Sequence, residues 1–207
     1  MTYGFVSDVH GDLAALEWAL EVLSGADQVY FLGDVCGGSD VAACLDMLRA
    51  RGVLCIPGNH DLWDFELTGL TAEQRQFLAQ LPLSREVDDW LAVHSDYERD
   101  VHGVRFPYIH SESDARRALA LFPQRLIFFG HTHLSQVHCL RPDGIIEFTR
   151  VRDSHRIEPG CRYLVNLGAA PDVCLLYDRP AQLLHYHFRK KSERPAPKPR
   201  PWWRLFG

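Results

Sequence analysis

The chain has 207 residues, 46% of them hydrophobic, enough for one domain with a proper core plus at most a small appendage. Its formal charge of −5 is uneven: seven Lys/Arg and one Glu between Arg189 and Gly207 give that segment +6, so the rest carries −11. An acidic body lacks the basic face of a general nucleic-acid binder, and no apolar run approaches the roughly 20 residues needed to span a bilayer.

The first residues, MTYGFVSD, have neither a basic region nor a long apolar segment, so neither a secretory signal nor an anchor is expected there. The six cysteines are scattered without a C-x-x-C pair and read as reduced thiols of a cytoplasmic protein, not as a zinc cluster.

In chain order, YGFVS reads as a first strand and LAALEWALEVL as a helix, with Asp12 where an N-cap would stand. QVYFL is a second strand. DVAACLDMLRARG has the pattern of a helix from Asp40 to Gly52, and VLCIP is a third strand. Such alternation predicts right-handed βαβ units around a parallel sheet. TAEQRQFLAQL continues as a helix, WLAVH as a strand, SDARRALALF as a helix and RLIFF as a strand. The last third is β-rich: SQVHCLRPDGIIEFTRV reads as a hairpin turning at Asp143-Gly144, and CRYLVNL, DVCLLYD and QLLHYHF as strands. The expected organisation is one α/β domain over residues 1–188 and a basic Pro/Trp-rich tail over 189–207, with no internal repeat.

Open α/β sheets place their sites just past the carboxyl ends of the strands. Here those ends deliver Asp8 and His10, then Asp34, then Asn59-His60-Asp61, then His94, then His131 and His133, often beside a glycine. Each piece alone has an ordinary structural reading as a turn, a cap or a core histidine. In FFGHTHLS, residues i and i+2 of an extended chain share a side, so His131 and His133 would project together. Their joint placement at one sheet edge argues for a metal site, neutral imidazole being the commonest metal ligand.

The order D-x-H, G-D-x-x-G, G-N-H-D, a later His and G-H-x-H resembles the calcineurin-like metallophosphoesterase superfamily, from Asp8 to about Phe188. The branch looks like the compact prokaryotic phosphodiesterases, whose Leu-Pro before a strand and late Asn-x-Gly appear here as LPLSREV and LVNLGAAPD. The resemblance implies a four-layer α/β/β/α sandwich of two mixed sheets flanked by helices. It implies that Asp8, His10 and His133 hold one metal ion, that Asn59, His94 and His131 hold the other, and that Asp34 bridges both. His60, beside a ligand but outside the ligand set, resembles the general acid. Two divalent cations against Asp8, Asp34 and a bridging hydroxide leave a net positive charge, suited to binding a phosphoester and attacking it with a metal-bound hydroxide.

The expected activity is therefore hydrolysis of phosphodiesters, with monoesters as a second class. The N/O donor set suits manganese foremost, with iron, zinc, cobalt or nickel as alternatives. The rival reading is a non-catalytic scaffold on this fold, like the retromer subunit with its degraded site; a scaffold should have lost one or two ligands. Where the family has His-Gly, this chain has His94-Ser95, so Ser95 is expected to constrain the loop or crowd the phosphate; Leu167-Gly168-Ala169 replaces Pro-Gly-Ser. GDVCGGSD lacks the arginine of the protein phosphatase and diadenosine tetraphosphatase branches. Trp63, Phe65, Tyr97, Arg105, Tyr108 and His110 follow two of the motifs and are either core residues or substrate contacts. Cys36 would be an unusual extra ligand, and His102, His138, His155, His185 and His187 carry no assigned role. The tail is read first as disordered, then as docking on this body or a second copy, then as touching an anionic membrane.

Overall fold

The computed structural model describes residues 1–63, 67–100 and 103–193. The chain runs through β1 (Thr2–Val6), α1 (Leu13–Val22), β2 (Gln28–Phe31), α2 (Val41–Ala50) and β3 (Leu54–Cys55), then a 3-10 turn at His60–Leu62 and α3 (Ala72–Ala79). It continues through β4 (Ser84–Val87), β5 (Trp90–Val93), a ribbon of β6 (Glu98–Asp100) and β7 (Gly103–Arg105), α4 (Glu112–Leu121) and β8 (Leu126–Phe129). Strands complete it: β9 (Ser135–Leu140), β10 (Ile146–Arg150), β11 (Ser154–Arg156), β12 (Arg162–Leu167), β13 (Val173–Asp178) and β14 (Leu183–Phe188), then a 3-10 turn at Lys191–Glu193.

The helix starts have local causes. Asp12 accepts from the Ala15 amide at 2.9 Å, and Thr71 and Ser111 form capping boxes with Gln74 and Asp114. Asp40 stands at the N-cap of α2, but its carboxylate makes no capping bond and accepts the Ser39 hydroxyl instead. The third strand is shorter than VLCIP predicts. Ile56 still donates to the Phe31 carbonyl at 3.0 Å, but Pro57 has no N–H with which to extend the ladder. The β9–β10 hairpin turns at Asp143-Gly144 as expected, Asp143 accepting from the Ile145 amide at 3.1 Å. The β6–β7 ribbon and β11 were not anticipated; each strand has three residues, too few to show a period.

Two six-stranded mixed sheets result, ordered β11-β14-β13-β1-β2-β3 and β10-β9-β12-β8-β5-β4. In the first, β1, β2 and β3 run parallel; in the second, β5, β8 and β12 do. Alternation along the strands makes three apolar layers. Tyr3, Phe5, Trp90, Phe128 and Tyr177 fill the space between the sheets. Val6, Phe31, Leu16 and Leu45 pack α1 and α2 on one outer face. Val93, Ile127, Phe129 and Leu119 pack α4 on the other. This is the expected α/β/β/α order. All six cysteines are buried and none forms a disulfide. Among the described residues no helix is long and apolar enough to cross a membrane.

Candidate metal centre

The parallel strands of both sheets end at the same edge, and the seven residues expected there converge with His60. Asp8, His10 and His133 form one cluster whose donor atoms all lie within 4.8 Å of one another; Asp34, His94 and His131 form a second. Asn59 joins the second through its Oδ1, 3.2 Å from His94 Nε2. Asp34 Oδ2 stands between the two, 3.4 Å from His94 Nε2 and 3.9 Å from His10 Nε2. His60 is also within ligand reach of His10 and Asp34, a third grouping that the sequence did not foresee.

The backbone is bent to make this possible. Asp8, His10, Asp34, His131 and His133 are five of the seven non-glycine residues with positive φ among those described, at 45–66°. Such geometry is costly for side chains with a Cβ and gathers at functional sites. It also corrects the extended-chain expectation for FFGHTHLS: His131 and His133 are aimed by a tight turn, closed by Thr132 N donating to Gly130 O at 2.7 Å. Asn166, buried at the end of β12, donates through Nδ2 to Thr132 Oγ1 and so holds that turn. The backbones also close in: a Cβ on Gly130 would run into Ser7 Oγ and Asp8 Oδ2, and one on Gly58 into Asp34 Oδ1.

Each carboxylate spends one oxygen on the main chain. His131 N donates to Asp8 Oδ2 at 3.0 Å, and His60 N donates to Asp34 Oδ1 at 2.9 Å. Their other oxygens face imidazoles. Asp8 Oδ1 is buried without a hydrogen bond, with His133 Nε2 3.2 Å away. Two histidines orient their rings the same way: His10 Nδ1 donates to the Cys36 carbonyl at 2.9 Å, and His94 Nδ1 to the Leu32 carbonyl at 2.7 Å. Neutral rings so fixed point an Nε2 lone pair inward, at oxygen lone pairs or at another imidazole. His10 Nε2 is 3.3 Å from His133 Nε2, and His131 Nε2 is buried with no partner. Lone pairs facing lone pairs, with the outer nitrogens bonded to main-chain carbonyls, form a donor set that a cation satisfies. The residues present therefore fit divalent metal.

The electrostatics agree. Burial works against charge on Asp34, but His94, the His60 amide and His10 outweigh it and hold its pKa at about 2. Burial likewise opposes charge on His94, but Asp34, helped by Asp8, raises its pKa to about 9. Burial, then the nearby His94, lowers His131 to about 4, so that ring stays neutral.

Asp61 builds the site without reaching it. It is buried and accepts three main-chain amides: Asp34 N at 2.8 Å, Cys36 N at 2.9 Å and Gly58 N at 2.9 Å. Burial and then the Asp34 carboxylate push its pKa up, against the Gly58 and Cys36 amides that favour the ionised form. Sequence reasoning quoted this residue in G-N-H-D without giving it a task; its place as the last member of the motif was the available clue. Ser95, the departure noted in the sequence, ties loops together, donating to the Pro107 carbonyl at 2.5 Å. Cys36 takes part through its backbone.

Of the undecided aromatics, Tyr97 packs toward Phe122, whereas Trp63 lies against His60 and Tyr108 against His131. Arg105 is exposed on β7, and Phe65 and His102 lie outside the described residues. His138 is buried with Gln136 on β9, and His155 lies beside Tyr163.

A family model described as the calcineurin-like phosphoesterase superfamily domain matches residues 1–187. The chain belongs to this superfamily, whose members are metal-dependent phosphoester hydrolases. A metallophosphoesterase from Sphaerobacter thermophilus superposes with a TM-score of 0.76 at 25% identity, covering 92% of this chain and 88% of that one. An archaeal phosphodiesterase gives 0.54 at 15% identity over 91% and 100% of the two chains. Vps29 of Chaetomium thermophilum gives 0.56 at 13% identity over 92% and 88%. The last two likenesses concern the fold alone. No curated protein matches the sequence significantly.

Proposed function

We propose that the chain hydrolyses phosphodiesters, with monoesters as a second class, at a centre of two divalent cations. Asp8, His10 and His133 would hold one ion and Asn59, His94 and His131 the other, with Asp34 shared. The observation that carries this reading is the position of Asp34 Oδ2, 3.4 Å from His94 Nε2 and 3.9 Å from His10 Nε2, between two imidazole groups. When bound, the ions would supply a water acidic enough to ionise near neutral pH and would offset phosphate charge.

The chain's own residues do the rest. Asp34 is fixed by the His60 amide, and its carboxylate would be the group shared by the two ions. Asp61 holds the backbone of both the Asp34 and the Gly58 turns. His60 is assigned the proton for the leaving oxygen: its amide is anchored on Asp34, and its ring is edge-on to His10 at 4.9 Å between centroids. Manganese is the ion proposed first, on the all-N/O donor set. Buried cysteines that form no disulfide suit a reducing compartment, and we propose a cytoplasmic location. A scaffold on the same fold would have no need for the seven donors to converge.

The test is a panel of phosphodiesters and phosphomonoesters on metal-reconstituted protein. Turnover of diesters above monoesters supports the reading. Turnover of monoesters alone reverses the preference, and no turnover of any ester by fully metallated protein favours the scaffold.

A further inference from the structure

Two aromatic side chains stand at the rim of the centre without supplying a donor to it. Trp63 is 41% exposed, with its ring centroid 4.5 Å from that of His60. Tyr108 is 55% exposed and stacks on His131, centroids 4.2 Å apart and planes 19° from parallel. His110 extends the stack, 5.1 Å from Tyr108 and 11° from parallel. Exposed rings are ordinary one at a time, but two leaning on opposite groups of one polar centre form a feature of that centre.

The Tyr108 loop is held in place. Ser95 Oγ donates to the Pro107 carbonyl at 2.5 Å, and Arg117 Nη2 donates to the Tyr108 carbonyl at 3.3 Å. Arg117 is itself fixed by the buried Asp96, 2.7 Å from its Nε. A ring ordered in advance costs a ligand less on binding. Polar donors on the floor and flat rings at the rim fit a ligand with phosphate at one end and a planar ring at the other. That is the chemistry of a nucleotide. The acidic body, −11 outside the segment from Arg189 onward, disfavours a long polyanion and points to a short one.

We propose that Trp63 and Tyr108 select the leaving group, and that the substrate is a small phosphodiester whose leaving group is a nucleoside. The proposal rests on the phosphoesterase reading above. Water adds its oxygen to phosphorus, the bond from phosphorus to the nucleoside oxygen breaks, and that oxygen takes a proton, giving a phosphomonoester and a free nucleoside hydroxyl.

The deciding experiment is calorimetric titration of manganese-loaded protein with a nucleoside 5′-monophosphate and with ribose 5-phosphate. Stacking on one aromatic ring predicts that the nucleotide binds about tenfold tighter. That advantage should vanish in Trp63→Ala and persist in Trp63→Phe, and it should shrink in Tyr108→Ala, which removes the ring between His131 and His110. Metal content is measured in each variant, and Trp63→Ala decides if Tyr108→Ala loses metal. Equal affinity for the two ligands in the wild type, or an advantage that survives Trp63→Ala, overturns the proposal. Binding is read without turnover. Base-dependent binding by a protein that hydrolyses no diester would therefore contradict the reaction and leave the nucleotide subsite standing.

Discussion

His94 and Asp34 are buried side by side with Nε2 3.4 Å from Oδ2, while the opposite nitrogen of the ring is committed to the Leu32 carbonyl. The ring therefore cannot turn its Nε2 away from Asp34. Asp34→Ala would remove the oxygen common to both clusters. The expected outcome is loss of at least one metal ion per chain and of turnover, in a protein that still folds. Elemental analysis checks it, and a fully metallated Asp34→Ala would refute the shared role.

His60→Ala should keep both ions and lower kcat by roughly 10²–10⁴, the usual worth of a positioned proton donor. The loss should shrink for esters with acidic leaving groups, which depart without a proton. Because His60 lies within ligand reach of His10 and Asp34, the competing outcome is concrete. Metal loss matching that of Asp34→Ala would make His60 a ligand.

Asp61→Ala would strand the buried amides of Asp34, Cys36 and Gly58. At about 1–3 kcal/mol for each unsatisfied group, the loss should be several kcal/mol of stability. Metal affinity should fall about 10–100-fold, as when a residue that orients ligands is removed. Denaturant melts and metal titration measure the two effects separately, and unchanged values would show that the amides find other partners.

Away from the centre, Asp114 accepts from Ser111 N at 2.9 Å and pairs with Arg117 Nη1 at 2.8 Å. The Ser111 hydroxyl and amide, with Arg117 and the His110 amide, hold its carboxyl well below the usual carboxylate range. A depressed folded-state pKa adds stability above the unfolded value of about 4, and that stability is lost as pH falls through the folded value. Asp114→Ala should therefore cost about 1 kcal/mol at pH 7, the typical worth of a helix cap, and progressively less below pH 4. Thermal melts across that range test the sign: a penalty that grew toward acid would contradict it.

Much of the centre was legible because each donor follows directly on a strand with a strong apolar pattern. FVSDVH, FLGD and IFFGHTH carry their chemistry at the strand end, so an order of strands became an order of ligands. The left-handed backbone at His131 and His133 was not legible, because Asn166, which holds Thr132, is 34 residues away. Asp61 was passed over for the same reason: the Asp34 amide it accepts lies 27 positions earlier. Nor could the sequence sort Tyr97 from Tyr108. Both follow His94, and only the Ser95–Pro107 bond and the packing of Tyr97 toward Phe122 separate a rim residue from a core one.

The central claim is that two metal ions at one edge of these sheets perform the hydrolysis. The most direct measurement is metal stoichiometry followed against phosphodiester turnover as chelated protein is titrated with manganese. The account predicts no turnover without metal and full turnover only as occupancy approaches two ions per chain. Equal turnover before and after confirmed metal removal, or full turnover at a single ion, would contradict it.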